Sequence, residues 1–217
     1  MSMRKILAEF LGTGLLVTFM IGSGIMATNL SQDVAVQLMM VAASTALGLS
    51  VLIRILGPIS GGHFNPAVTL VEFINGSISL VSAVTYVISQ TLGALAGAML
   101  GNAMFKHPLI ETSTSIKSGS NLLIGEVVAT AGLILVIKLL VAHKKSEAIA
   151  FAVPAWIASA FFFTSSTSFA NPAVTIGRTI SESFAGIAPE SVGKFIAAQT
   201  VGALIAVAIS KVLIDDK

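Results

Sequence analysis

The chain has 217 residues, of which 55% are hydrophobic and only 10% charged, with a mean hydropathy of +0.94; soluble domains carry roughly a quarter charged residues. So apolar a chain is a membrane protein. Its net charge of +2 comes from twelve basic and ten acidic side chains, too few and scattered for a nucleic-acid partner, and the lack of cysteine excludes disulfides and Cys-ligated metals.

The start, Met1-Ser2-Met3-Arg4-Lys5 and then an apolar run, has the outline of a signal peptide. Polar Glu9, Thr13 and Thr18 interrupt that run, so a retained span is expected. Charge-free runs between polar breaks predict six spans near 5–28, 35–56, 80–104, 121–142, 148–166 and 191–213, each about the 20 residues that a bilayer demands. Two shorter apolar segments, 66–76 and 172–180, each begin with Asn-Pro. They are too short to cross as helices, and read as re-entrant half-helices buried in protein or lining a cavity. The break at 29–37 is short; the one at 106–121 is long, rich in Ser and Thr, and expected to be mobile. Arg4, Lys5, Lys144, Lys145, Lys211 and Lys217 share one side with both termini in a six-span chain, which predicts a cytoplasmic face there. Lys106, Lys117, Arg178 and Lys194 fall opposite, so the bias is modest. Two Asn-x-Ser matches to the glycosylation pattern, at Asn29 and Asn75, carry little weight.

An internal repeat organises the chain. Ala8-Glu9-Phe10-Leu11-Gly12-Thr13 is echoed by Gly125-Glu126-Val127-Val128-Ala129-Thr130, and the Gln90-Thr91-Leu92-Gly93 segment by Gln199-Thr200-Val201-Gly202. Between each pair of echoes lies one Asn-Pro-Ala-Val-Thr box, at Asn65 to Thr69 and Asn171 to Thr175. Each half, about 1–105 and 119–217, holds three spans and a half-helix. An odd number of spans inserts the second half upside down, so the whole chain is expected to form one domain of two inverted repeats with its site at their midplane interface.

Asn before Pro is a helix-start signal, because Pro at the first helical position loses only an N–H that would be unpaired anyway. Asn65, Pro66 and Ala67, and Asn171, Pro172 and Ala173, therefore open two half-helices aimed at each other from opposite faces. If each Asn oxygen caps its own helix, the amides offer two donors each toward the space between. Two positive dipole ends there repel a cation, while a neutral molecule with acceptor oxygens finds donors. Glu9 and Glu126 are intramembrane carboxylates, by default a proton or ion relay, but their equivalent repeat positions favour a structural role. His63 reads as a loop brace or cavity-wall residue, since His107 and His143 sit in remote loops; no metal and no cofactor are expected. Gly93, Ala94, Ala96, Gly97, Ala98, Gly202, Ala203 and Ala206 form small-residue faces for close helix approach.

With its six spans, twin Asn-Pro-Ala boxes, the Ser60-Gly61-Gly62-His63-Phe64 segment and paired glutamates, the sequence resembles the aquaporin, or major intrinsic protein, family along essentially its whole length. That resemblance implies a right-handed bundle of six tilted helices with two half-helices, a pore in every protomer, assembly as a homotetramer and passive transport of water or small neutral solutes. It implies too that Glu9 and Glu126 accept hydrogen bonds from the re-entrant loops. The family's narrow filter is built from four positions, which by resemblance are Leu47, Phe161 (with Ser159 the competing choice), Ser168 and Val174. Where the family most often keeps Arg this chain has Val174, which predicts a wider and more apolar constriction. Arg178, one turn further along that half-helix, either rebuilds a positive constriction or pairs with Glu182 or lipid headgroups; the expectation is the outer vestibule, short of the narrowest point.

The function expected is a passive channel for glycerol, urea or metalloid acids such as arsenite, with water, in the plasma (inner) membrane. The alternatives are a mainly water-selective aquaporin and, from another class, a proton-coupled transporter, for which the deep spans hold almost no ionisable groups apart from Glu9 and Glu126. No phosphate loop, metal cluster or nucleophile set supports an enzyme.

Overall fold

The computed structural model describes residues 2–214; Lys217, counted above for orientation, lies outside them. The described residues form α1 (Met3–Leu30), α2 (Val34–Ser60), α3 (Pro66–Ile74), α4 (Leu80–Met104), α5 (Ser120–Ala142), α6 (Ile149–Phe163), α7 (Pro172–Gly177) and α8 (Pro189–Leu213), with two single 3-10 turns and no strand. Six helices are long and apolar enough to cross a bilayer, and the protein is an integral membrane protein. In a medium without water every backbone N–H must find its partner inside the protein, which is why the spanning segments are helical throughout.

The ends of the elements follow from local chemistry. Asp33 Oδ1 caps α2 by accepting from the Ala35 and Val36 N–H groups, and Ser79 Oγ accepts from Ser82 N–H at the start of α4. The second span continues to Ser60 rather than ending near 56. Pro58 lies so near the terminus that little of the hydrogen-bond ladder is lost, and the helix stops at Gly61, whose φ of 98° suits only glycine well. The fifth span stops at Phe163, short of 166, where the Thr164 hydroxyl donates back to the Ala160 carbonyl and the chain turns. The half-helices are short: α3 has nine residues, and α7 has six before a 3-10 turn at Arg178–Ile180.

The packing repeats. α1 lies against α4 and α2, α5 lies against α8 and α6, and α2 meets α6 where the halves join, with α3 and α7 held between α4 and α8. The tightest seam is α1 on α4. A Cβ on Gly97 would fall inside the van der Waals envelope of the Gly14 carbonyl, and one on Gly93 inside that of Phe10. Across the same seam the Thr18 hydroxyl donates to the Gly97 carbonyl at 2.9 Å. Gly202 repeats this arrangement against Val127 in the second half. These are backbone obstacles that no rotamer change relieves, so the small-residue faces are requirements of the seam.

Gly97→Val should therefore destabilise the fold by at least the roughly 1–3 kcal/mol typical of overpacking, whereas Gly193→Ala, in α8 with open space around its Cβ position, should be neutral or stabilise by about 0.5–1 kcal/mol. Thermal unfolding of detergent-solubilised protein, followed by size exclusion, checks both.

Candidate functional site

The two boxes meet. Asn65 Oδ1 accepts from Ala67 N–H at 2.8 Å, and Asn171 Oδ1 accepts from Ala173 N–H at 3.0 Å and Val174 N–H at 3.2 Å, so each side-chain oxygen caps its own half-helix. Each amide nitrogen then reaches across. Asn65 Nδ2 donates to the Ala170 carbonyl and Asn171 Nδ2 to the Phe64 carbonyl, both at 2.8 Å. The expectation of two free donors per amide is thus corrected. One N–H is spent on the opposite loop, leaving one on each asparagine without a protein acceptor among the described residues. The acceptors face inward because Phe64 (φ 46°) and Ala170 (φ 47°), the residues just before each Asn, are in the left-handed region.

Two buried carboxylates hold these loops. Glu9, fully buried in α1, accepts from Ser60 Oγ (2.6 Å), His63 N–H (3.1 Å), Phe64 N–H (2.7 Å) and Gln90 Nε2 (2.7 Å). Glu126, fully buried in α5, accepts from Phe169 N–H (2.8 Å), Ala170 N–H (2.9 Å) and Gln199 Nε2 (2.6 Å). Gln90 and Gln199 each donate a second bond to Thr69 or Thr175, whose hydroxyls donate to the Asn65 and Asn171 carbonyls. A carboxylate suits this place because it only accepts, and every group facing it donates. The first half adds its own supports: Tyr86 Oη donates to the Ser60 carbonyl, and the His63 ring contacts Thr69 Oγ1 through Nδ1 at 3.0 Å and the Tyr86 ring edge-on.

Beside the junction of the half-helices lies a cavity, hereafter the passage. Its loop side presents His63, Asn65, Phe169, Ala170 and Asn171, with Val174 on α7; its opposite wall is Leu16 and Met20 of α1, Thr45, Leu49 and Ile53 of α2, Leu133 and Ile137 of α5, and Val153 and Ile157 of α6. Of the four expected filter residues, Val174 lines this passage. Phe161 is buried one turn beyond Ile157 on the same face of α6, and Ser159 is exposed on the outside. Ser168 is buried with its hydroxyl unpartnered, at φ 51°. Leu47 is a correction: at about 100° per residue it points roughly opposite to Thr45 and Leu49, and it is 72% exposed on the outer face of α2. Thr45, with a buried and unpartnered hydroxyl, takes the place on the wall. The spacing of Thr45, Leu49 and Ile53 along one face is the sequence signal that would have found it.

Arg178 is buried, 3% exposed. Its Nε donates to the Ala185 carbonyl and its guanidinium lies 3.6 Å from the centroid of the Phe169 ring, while Nη1 has no partner. The expected alternative of pairing with Glu182 does not occur. Glu182 instead accepts from the Thr114 N–H at 2.5 Å and its hydroxyl at 3.1 Å, in the α4–α5 loop. That loop, expected to be mobile, is tied down by Ser113 N–H donating to the Thr179 carbonyl and Ala188 N–H to the Ser115 carbonyl, both at 2.8 Å. It carries Lys117, whose ammonium lies 5.8 Å from the Phe169 centroid. Burial, then the neighbouring Arg178, lower the Lys117 pKa to about 8, with Glu126 acting in the other direction. Among the described residues no group of three His, Asp or Glu side chains is arranged to hold a metal.

Glu9→Gln puts an amide N–H₂ among donors. At least one buried donor loses its acceptor, so a loss of roughly 1–3 kcal/mol per unpaired group is expected, seen as a lower unfolding temperature. The isosteric change at Glu126 should behave alike.

The comparisons agree with this architecture. The family model described as major intrinsic protein matches residues 1–164, ending before the second box. The chain is 41% identical over 212 residues to aquaglyceroporin AqpS of Rhizobium meliloti (strain 1021), a match covering 98% of this chain and 91% of that protein. Aquaporin-5 of Ovis aries is 36% identical over 98 residues, which is 45% of this chain and 36% of its own length. Among solved structures, the X-ray structure of the aquaglyceroporin from Plasmodium falciparum superposes with a TM-score of 0.76 over 97% of this chain and 96% of that one; at 20% identity this bears on the fold alone. Matched over most of its length by the family model and nearly end to end by one relative, the chain belongs to the major intrinsic protein family, membrane channels for water and small neutral solutes.

Proposed function

We propose that this chain is a passive, uncoupled channel whose arginine-free constriction admits glycerol, urea or metalloid acids such as arsenite together with water. The observation that carries this reading is Val174. It stands on the passage wall, 1% exposed, where the family pattern has Arg, so a bulky cation and its fixed donors are replaced by a short apolar side chain. The same passage is lined by Leu49, Val153 and Ile157 for a carbon skeleton, and by the Thr45 hydroxyl with the remaining N–H of Asn65 and Asn171 for hydroxyl oxygens. The near-full-length relative named an aquaglyceroporin supports the same reading. A strictly water-selective channel fits this wall less well. Proton-coupled transport fits least, because Glu9 and Glu126 are fully buried and already hold the loops.

The selectivity region in this reading comprises Val174, Phe161 and Ser168, with Thr45 in place of Leu47. Pro66, Ala67, Pro172 and Ala173 serve to start the half-helices, and Arg178 serves the outer vestibule. His63, Glu9 and Glu126 hold the loops. The whole chain acts as one channel domain of two halves, about 1–105 and 119–217. It assembles as a homotetramer in the plasma (inner) membrane, with both termini cytoplasmic and the α4–α5 loop outside.

Stopped-flow swelling of proteoliposomes tests the proposal: glycerol and urea flux should be non-saturating and indifferent to a proton gradient, and gradient-driven accumulation would overturn it. Val174→Arg should cut glycerol flux about tenfold or more while water flux stays within a fewfold, since an Arg side chain narrows the passage and adds charge. Equal loss of both would contradict the place given to Val174.

A further inference from the structure

Val174 leaves the second half-helix without the positive side chain that the family pattern places there. We propose that Lys117, brought in by the α4–α5 loop, is a specificity-determining residue of the outer mouth, supplying the positive barrier to cations that Val174 leaves out. This rests on the channel reading above.

Three observations carry it. First, Lys117 is held in place: its N–H donates to Ser191 Oγ at 2.9 Å, and Glu111 N–H to the Ile180 carbonyl at 3.1 Å, on either side of the bonds at Ser113 and Ser115. Second, its ammonium sits over the ring of Phe169, which lines the passage. The face of an aromatic ring attracts a cation. The Phe169 ring is itself buried, edge-on to Phe195, with both Arg178 and Lys117 over it, so positive charge gathers beside the passage wall. Third, neither forms a salt bridge among the described residues: the one present is His107 with Glu111, Glu182 is engaged by Thr114, and Glu126, whose charge acts on Lys117, is taken up by the Phe169 and Ala170 N–H groups and Gln199. Of the two, Arg178 is buried and bonded to the Ala185 carbonyl, whereas Lys117 is half-buried and its ammonium has no hydrogen-bond partner among the described residues. A lysine with a pKa near 8 remains largely protonated at neutral pH.

The test uses the full chain in liposomes, with sodium and guanidinium leak measured beside glycerol and water flux. Lys117→Met should raise cation leak about tenfold with glycerol flux within twofold of wild type, and Lys117→Arg should keep the low leak. Acetylation of the reconstituted wild type from outside provides a route without a sequence change. It should reproduce the rise, with Lys117→Arg resistant. Cation leak that stays at the wild-type level in Lys117→Met and after acetylation would overturn the proposal. Wild-type vesicles without glycerol or urea flux would instead overturn the channel reading, and the cation leak of the variants in the same vesicles still decides the role of Lys117.

Discussion

The reciprocal bond between Asn65 and the Ala170 carbonyl, and between Asn171 and the Phe64 carbonyl, is the constraint on which the site depends. Two half-helices that stop in the middle of a bilayer leave the N–H groups of their first turns exposed to a medium that cannot solvate them. Each asparagine meets that need twice, capping its own helix with its oxygen and tying down the opposite loop with its nitrogen. The fully buried carboxylates then hold the loop N–H groups just upstream. Removing any one member leaves several buried groups unpaired at once, which makes the network a unit rather than a set of independent bonds.

The same bonding decides what a solute meets. Because one amide hydrogen on each asparagine is committed to the opposite loop, the midpoint offers a sparse and fixed set of donors. A hydroxyl or water can accept from them, but they cannot rearrange into a hydration shell for an ion. The apolar wall of α2, α5 and α6 supplies shape rather than polarity. Positive charge is displaced from the half-helix at Val174 to the Phe169 ring, where Arg178 and Lys117 gather. The steric wall and the positive charge are thus carried by different elements.

Much of this was legible in the sequence, for physical reasons. Long apolar runs bounded by polar breaks have few alternatives in a bilayer, and Asn-Pro is a specific helix-start signal. What sequence could not show was conformation without a residue signature. Gly61, Gly62 and Phe64 in the first loop are left-handed, and so, at the same offset as the two asparagines, are Thr167, Ser168 and Ala170 in the second. Gly-Gly announces such a backbone; Thr-Ser does not, and adopts it at a cost of about 1–2 kcal/mol per residue, sustained by the bonds to Glu126. Leu47 was misplaced because hydrophobic composition does not distinguish the lipid face of a span from its passage face when both are apolar. Arg178 lay beyond reach for another reason: its partners are a ring and a carbonyl, and its acidic neighbour at the right helical spacing is drawn off by the α4–α5 loop.

The cross-bonds join residues separated by 105 and 107 positions along the chain. During synthesis, at about 5–20 residues per second, the first re-entrant loop exists for roughly 5–20 s before its partner is made. Over that interval its amide and its inward-facing carbonyl have no mate. The first half-helix therefore has to wait at the membrane surface, in the insertion machinery, or against transient water. The reciprocity that makes the finished pore rigid also makes the order of its birth a vulnerable step, and one that a circular rearrangement of the two halves would not remove.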